Sequence, residues 1–88
     1  MRIADSITME QPISKMLNEL NFPDMKYEIT KESCRWLIRL TQTQEVELLI
    51  EIMYEDGGII GCVLEEKGIT HKTKSLIMDT LMKHLELD

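Results

Sequence analysis

Apolar and polar side chains alternate with a period of two residues through the middle of this chain, and no other feature restricts the fold as strongly. Apolar residues occupy every second position from Cys34 to Leu40, and again from Val46 to Tyr54. Successive side chains of a β-strand point to opposite faces of a sheet, so each segment predicts a strand with one buried face. The polar segment Gln42–Gln44 between them is short enough for a hairpin loop.

A three-residue loop in this hairpin predicts a specific register between its two strands. The apolar pairs on the buried face are then Leu40 with Val46, Ile38 with Leu48 and Trp36 with Ile50. On the other face, the same register gives two pairs of opposite charge, Arg39 with Glu47 and Arg35 with Glu51. Each such pair contributes roughly 0.2–1 kcal/mol, so both faces favour this register.

A shorter alternation before this hairpin and a turn signal after it predict two more strands. Met25, Tyr27 and Ile29 alternate with polar residues and indicate a first strand. The segment Asp56-Gly57-Gly58 tolerates positive φ and predicts a second hairpin that runs back through residues 59–64. Its register stays open: a three-residue loop buries Ile60, Cys62 and Leu64, whereas a two-residue Asp-Gly turn buries Ile59, Gly61 and Val63.

Two segments near the ends of the sequence have the spacing of amphipathic helices. The first begins near Pro12, a residue suited to a first helical turn, and Asn21 can end it. The second runs from Lys72 to about Leu87, after Thr70, which can cap its N-terminus. Residues 1–8 precede the first helix, and we expect them to be flexible.

The order helix, four strands, helix favours the α+β class. Hairpin connections throughout make the sheet an antiparallel meander, and both helices can pack on one face of it. The chain has 88 residues, enough for one domain, so we assign residues 1–88 to a single domain. A chain of this length buries only a little over roughly 60% of the surface that its unfolded form exposes, so contact with a partner would add useful burial.

The sheet face turned away from the helices is the main candidate for a binding surface. Leu37, Leu49 and Met53 lie on this face, joined by Val63 or Leu64 according to the register of the second hairpin. Adjacent apolar residues on an uncovered sheet face are typical of a subunit or partner contact. We therefore expect a protein partner, in a homodimer or a hetero-oligomer.

Negative charge is concentrated in the second half of the predicted sheet. The chain has 10 Lys plus Arg against 16 Asp plus Glu, and neither Lys nor Arg occurs between Glu45 and Glu66. Glu45, Glu47 and Glu51 share the outer face of the third strand, and we expect them to contribute to binding of a basic partner. The net charge of -6 disfavours nucleic acid and anionic lipid as partners.

The residue types that carry catalysis or bind metals do not form a known motif here. The two histidines and two cysteines lack the spacing of a zinc site, and the glycines match no phosphate-binding loop. A Cys62 nucleophile with His71 as its base lacks a third, orienting group. We therefore expect no enzymatic activity, no cofactor and no metal.

The number of cysteines and the length of the apolar runs bear on the location of the protein. Cys34 and Cys62 are too few for a disulfide framework, and both fall in strand-like segments, so we expect reduced and buried thiols. The apolar runs are far shorter than the roughly 20 residues that span a bilayer, and because the first residues lack the pattern of a secretion signal, we expect none. These features favour the cytoplasm and disfavour a membrane protein.

Two segments stand out at the predicted helices, Pro12-Ile13-Ser14-Lys15-Met16-Leu17-Asn18-Glu19-Leu20 in the first and Thr70-His71-Lys72-Thr73-Lys74-Ser75 at the start of the last. With the overall order of elements, they resemble a double-stranded-RNA-binding domain. Lysines at the start of the last helix contact the RNA backbone in that family, so the resemblance implies this role for Lys72 and Lys74. The chain departs from the family in its extra strand, its acidic sheet, and the lack of a glycine-rich approach and an alanine-rich stretch in the last helix.

The hypothesis that fits these features is a small acidic protein-interaction module without catalytic activity. It would act as an adaptor, a chaperone-like subunit or an inhibitor. Its size, acidity and order of elements are similar to those of small bacterial secretion chaperones, which also dimerise. The alternative is a degenerate double-stranded-RNA-binding-like domain that contacts phosphates with the start of its last helix.

Overall fold

The structure, a computed structural model, describes residues 6–22, 24–55 and 58–86. Its elements, in chain order, are α1 (Ser6–Glu19), β1 (Lys26–Glu32), β2 (Arg35–Thr43), β3 (Val46–Glu55), β4 (Gly58–Lys67) and α2 (His71–Glu86). The strands form one antiparallel sheet in the order β1-β2-β3-β4, and both helices pack on the same face of it. The predicted α+β fold is confirmed.

The N-terminal helix begins at Ser6, so the prediction that it begins near Pro12 is wrong. A proline lacks the N–H of a helical hydrogen bond and favours the first turn. Here packing outweighs that preference, because Met9 on the additional turn is fully buried in the core. Of residues 1–8, for which flexibility is expected, 1–5 lie outside the described residues and 6–8 belong to α1.

The termination of α1 and the start of α2 follow the predicted capping residues. Asn21 adopts a left-handed conformation with φ 61°, and the N–H of Phe22 donates to the carbonyl of Leu17 at 2.9 Å. These are the features of a Schellman motif, which satisfies carbonyl groups at a helix end. At the start of α2, Oγ1 of Thr70 accepts a hydrogen bond from the N–H of Thr73 at 3.1 Å, as an N-cap does. The predicted continuation to Leu87 lies outside the described residues.

The core lies between the two helices and the inner face of the sheet. Its buried apolar residues are Met9, Ile13, Met16, Leu17, Met25, Trp36, Ile38, Leu40, Leu48, Ile50, Ile52, Ile77, Leu81 and Leu85. The period-two prediction is thus confirmed for Trp36–Leu40 and Leu48–Ile52, whose alternate apolar residues are buried, while Val46 and Tyr54 at the ends of β3 are half-buried. Trp36 closes one end of this core beneath Lys31, whose Nζ lies 5.6 Å from the ring centroid.

The β2–β3 hairpin has a different register from the predicted one. The observed pairs are Leu40 with Leu48, Ile38 with Ile50 and Trp36 with Ile52. The turn between Thr43 and Val46 has two residues, not three, which by itself would displace the pairs by three positions. A bulge at Gln42, between the Thr43–Val46 and Thr41–Glu47 pairs, reduces the displacement to two. The three-residue loop is therefore wrong, and each pair is displaced by two residues. A displacement of two keeps every side chain on its expected face.

The β3–β4 hairpin realises one of the two registers that the sequence left open. Tyr54 pairs with Ile59 and Ile52 with Gly61, as a two-residue Asp-Gly turn requires. Ile59, Gly61 and Val63 are accordingly half-buried, while Ile60, Cys62 and Leu64 are exposed. Residues 56 and 57 of the turn lie outside the described residues. A second bulge, at Leu64, follows because Leu49 pairs with Glu65 whereas Ile50 pairs with Val63.

Two glycines permit close contacts around α2. An added Cβ at Gly61 of β4 would lie 3.0 Å from Cε of Met78, so the missing side chain allows α2 to pack closely on the sheet. Gly68, between β4 and α2, has φ 67°, and an added Cβ would collide with the carbonyl oxygen of Glu45. The path from β4 into α2 is thus fixed against the β2–β3 turn.

Candidate functional site

The sheet face opposite the helices carries apolar side chains from three strands, and we call it the open face. Its apolar residues are Leu37 of β2, Leu49 and Met53 of β3, and Ile60 and Leu64 of β4. Ile60 and Leu64 are 50% and 46% exposed, and the other three are half-buried. No helix or strand within the described ranges packs over this face. The structure thus brings together the three apolar residues predicted for the partner surface.

Sequence reasoning does not assign Ile60 to the open face. The residue could belong to either side of the sheet as long as the second hairpin had two possible registers. The Asp56-Gly57 dipeptide is the signal that favours the observed one, because such pairs prefer two-residue turns. Met53 lies directly opposite Ile60, so the apolar surface continues from β3 to the edge strand β4.

A buried carboxylate lies at the centre of the open face. Glu51 is only 8% exposed, and its Oε2 accepts a hydrogen bond from Nη1 of Arg35 at 2.5 Å. Arg35 also donates to Oε1 of Glu32 at 2.7 Å. Hydrogen bonds from Arg35 to Glu32 and Glu51 raise the pKa of its guanidinium, which stays charged. Because a buried charge needs a partner, Arg35 makes the position of Glu51 tolerable.

A second ion pair on this face joins Arg39 to Glu47, with Nη1 of the arginine donating to Oε1 of the glutamate. Both arginine partners are those that the sequence predicted, but the pairing directly across the strands is wrong. Arg39 lies opposite Leu49 and Arg35 opposite Met53, so each carboxylate is reached along a diagonal. Long side chains bridge such diagonal positions, which explains why the pairs survive the displaced register.

These ion pairs reduce the acidic surface predicted for β3 and β4. Besides Glu47 and Glu51, Glu66 is also bound, since its Oε2 accepts from Nζ of Lys74 at 2.7 Å. Glu45 in the β2–β3 turn and Glu65 on β4 are exposed. The side chain of Glu55 and all of Asp56 lie outside the described residues. Of the predicted partner-binding carboxylates, only Glu45 therefore faces solvent without a bound cation in the part that the structure describes.

The basic start of α2 offers one lysine where the RNA-binding resemblance implies two. Lys74 is held by Glu66, and only 21% of its side chain is exposed. Lys72 is exposed. The hydroxyl of Thr70 already accepts the N–H of Thr73, a group that a bound anion would otherwise use. An anion here would have to displace Glu66 from Lys74 to gain the second cation.

Both cysteines are exposed, so the prediction of buried thiols is wrong. Cys34 lies in the β1–β2 turn, and Cys62 lies on β4 with its Sγ 3.6 Å from Oε1 of Glu51. Desolvation, followed by the hydrogen bond to Glu51, raises the pKa of the Cys62 thiol. A protonated thiol is a poor nucleophile, so this arrangement does not activate Cys62. Within residues 6–22, 24–55 and 58–86, no three His, Cys, Asp or Glu residues are placed to hold a metal ion.

Two surface depressions lie away from the open face. A groove of about 380 Å³ between α1 and β1 is lined by Glu10, Gln11, Ser14, Lys15 and Tyr27. A smaller one of about 190 Å³ lies beside the start of α2, and Phe22, Met25, Gln42, Val46, Gly68, Ile69, Thr70 and Thr73 line it. Neither lining pairs a nucleophile with a general base. The open face therefore remains the best candidate site.

Comparisons with known proteins identify no function for this chain. No protein-family model, no curated protein and no solved structure matches it. Among the described residues, the helices are too short and too polar to cross a membrane.

Proposed function

We propose that this chain is a protein-interaction module that binds a partner protein through the open face and catalyses no reaction. The supporting observation is the exposure of Ile60 and Leu64, 50% and 46%, next to the half-buried apolar residues of β2 and β3. Removing such apolar area from water is the main driving force of protein association. An adaptor, a chaperone-like subunit and an inhibitor all belong to this class.

The dimensions of the open face suit a small protein interface. β2, β3 and β4 are 9, 10 and 10 residues long, and a strand of that length extends about 30 Å at roughly 3.3 Å per residue. Four strands spaced by about 4.8 Å make the sheet about 15–19 Å wide. The flat area is on the order of 500 Å², so two contacting surfaces together reach about 1,000 Å², the lower bound for a specific interface.

The ion pairs make the open face compatible with an apolar partner. Arg39 binds Glu47, and Arg35 binds both Glu51 and, at the end of β1, Glu32. A partner that covers Glu47 and Glu51 therefore buries each carboxylate beside an arginine, whereas a carboxylate without a cation would oppose binding by several kcal/mol. Glu45 and Glu65 lie in a turn and on the edge strand, where they favour basic residues at the periphery of the partner.

The proposed location is the cytoplasm. Cys34 and Cys62 are both exposed and unpaired with each other. Exposed thiols persist where glutathione and thioredoxin keep them reduced, whereas oxidising compartments favour disulfides. A reducing compartment is therefore the setting in which the thiols of Cys34 and Cys62 stay reduced.

A matched pair of lysine substitutions tests the proposed binding surface. Leu49→Lys places a charge within the open face, and Leu76→Lys changes an apolar residue of α2 that is 48% exposed on the other side of the sheet. Wild type and both variants are immobilised at equal density, and proteins retained from a lysate of the source cells are quantified by mass spectrometry. Circular dichroism shows whether each variant is folded.

The expected result is a partner retained by wild type and by Leu76→Lys but depleted about tenfold or more by Leu49→Lys. A tenfold loss corresponds to about 1.4 kcal/mol, less than the penalty for burying an unpaired lysine. A folded Leu49→Lys variant that retains every partner of the wild type contradicts the proposal, whether the chain is a monomer or a dimer.

A further inference from the structure

The two edge strands of the sheet differ in how they are protected from pairing with another chain. β1 carries charges at Lys26, Glu28, Lys31 and Glu32. Charged side chains along an edge strand are a common device against association. β4 is ten residues long and has no charged residue from Gly58 to Leu64. The bulge at Leu64 limits the regular part of this edge to Gly58–Val63, and this uncharged apolar segment is a template for a further strand.

We propose that two copies of this chain pair through β4, antiparallel and edge to edge, around a two-fold axis at Gly61. The two four-stranded sheets then become one continuous sheet of eight strands. This contact uses the edge and leaves the open face uncovered, so it goes beyond the proposed function. Because the axis is perpendicular to the sheet, the open faces of both copies lie side by side and form one doubled surface.

The position of the axis follows from the distribution of charge along β4. Pairing about Gly61 places Ile59 opposite Val63, Ile60 opposite Cys62, and Gly58 opposite Leu64 of the second copy. Apolar and β-branched pairs of this kind stabilise sheets. An axis at Cys62 would instead place Glu65 opposite Ile59. An axis at Ile60 would place Gly58 opposite Cys62 and Gly61 opposite Ile59, so that a glycine replaces one member of each apolar pair. The axis at Gly61 therefore gives the paired part of β4 its apolar pairs and keeps Glu65 and Glu66 of a chain with net charge -6 outside the contact.

The packing of α2 on β4 supports the same centre. An added Cβ at Gly61 would lie 3.0 Å from Cε of Met78 and 3.2 Å from Sδ of Met82, so both methionines lie over this residue. Both are half-buried. An axis at Gly61 brings the methionines of the two α2 helices towards each other above the new sheet. Flexible thioether side chains fill irregular space well, so the core continues from one copy to the other.

Sedimentation equilibrium of the full chain and two lysine variants tests the dimer. Ile60→Lys introduces a charge into the proposed contact at a side chain that is 50% exposed, so the fold should tolerate it. Thr30→Lys makes the matched change on the other edge strand, at an exposed residue of β1. We expect wild type and Thr30→Lys at twice the monomer mass of 10.3 kDa, and Ile60→Lys at the monomer mass.

A cross-link tests the register. In a Cys34→Ser background, Ile60→Cys places a thiol directly opposite Cys62 of the second copy, at a Cα distance of about 4.5–5.5 Å, which is within the range of a disulfide. Oxidised glutathione at pH 8.5 accepts the electrons and is reduced to two thiols. We expect a covalent dimer on a non-reducing gel, and none for Thr30→Cys in the same background.

Three results would overturn the proposal. A wild-type chain that stays monomeric at millimolar concentration excludes the dimer, while the open face as a site for another protein is unaffected. Because Ile60 also lies on the open face, Leu49→Lys decides between the two surfaces: a dimer that Leu49→Lys dissociates moves the contact from the edge to the open face, whatever the effect of Ile60→Lys. A dimer that Ile60→Lys dissociates, but that yields no Ile60→Cys cross-link, excludes the axis at Gly61.

Discussion

At the scale of single residues, Gly68 is the position where the backbone depends most on the absence of a side chain. Its φ is 67°, and an added Cβ would collide with the carbonyl oxygen of Glu45. The left-handed conformation disfavours other residues by about 1–2 kcal/mol, and the collision adds to this, so Gly68→Ala should lower the free energy of unfolding by about 2–3 kcal/mol. Urea denaturation followed by circular dichroism measures the change.

Gly58→Ala is the control for that substitution, because nothing lies within 4 Å of its added Cβ. We expect its free energy of unfolding to stay within about 0.5 kcal/mol of the wild type. Equal destabilisation by both substitutions would show that Gly68 has no special conformational role.

Residues inside the strands could be assigned to a face from the sequence, while residues in turns could not. Trp36 and Ile50 are buried as predicted, because alternation identifies a face without knowledge of the strand's partners. Cys34 continues the same alternation but lies in the turn after Ser33, whose φ is 48°. A positive φ at a residue other than glycine is uncommon, so neither residue type nor spacing indicates this turn.

At the scale of elements, the registers depend on bulges that leave little trace in the sequence. Gln42 and Leu64 are the extra residues of the two bulges. Neither is a glycine, the residue that would mark the bulge type requiring a positive φ. The predicted loop between β2 and β3 was consequently too long, although the faces of both strands were right. The early start of α1 has a similar cause, since the burial of Met9 depends on α2 and the sheet.

The two helices are joined at Glu19, and this contact predicts a specific pH dependence. Glu19 accepts hydrogen bonds from Nζ of Lys83 at 2.7 Å and from Nε2 of His84 at 3.0 Å. The hydrogen bond from Lys83, followed by that from His84, lowers the pKa of the Glu19 carboxyl below its usual 4.5. A lowered pKa in the folded state means that the contact stabilises the fold above that value and is lost as the pH falls through the folded-state pKa.

Glu19→Gln should therefore cause a small decrease in Tm at pH 7, and the difference from wild type should shrink as the pH falls below 4.5. The effect is small because the groups are exposed to solvent. Thermal unfolding followed by circular dichroism at pH values from 7 to 3 measures it. Glu10→Gln removes an exposed carboxylate from the same helix and serves as the control. A difference in Tm that grows as the pH falls below 4.5 would contradict this role of Glu19.

At the scale of the whole molecule, net charge was a poor guide to the binding surface. The absence of Lys and Arg between Glu45 and Glu66 predicts an acidic face. Arginines of β2 and a lysine of α2 nevertheless bind three of these carboxylates, because the fold brings distant residues next to them. The apolar part of the candidate surface could be predicted, since it follows from alternation alone. The ion pairs were predictable only where both partners belong to one hairpin.

The same net charge predicts how salt affects association of two copies. Each copy carries -6, whereas the proposed contact from Gly58 to Leu64 is uncharged, so long-range repulsion opposes dimerisation. Raising NaCl from about 10 mM to about 150 mM shortens the Debye length from roughly 30 Å to roughly 8 Å and should lower the dimer's Kd severalfold. Sedimentation equilibrium at both salt concentrations measures this, with sucrose of equal osmolality as the control.

Binding to RNA phosphates would respond in the opposite way, because salt weakens contacts between lysines and phosphates. A dimer whose Kd rises with NaCl would contradict an uncharged contact at β4.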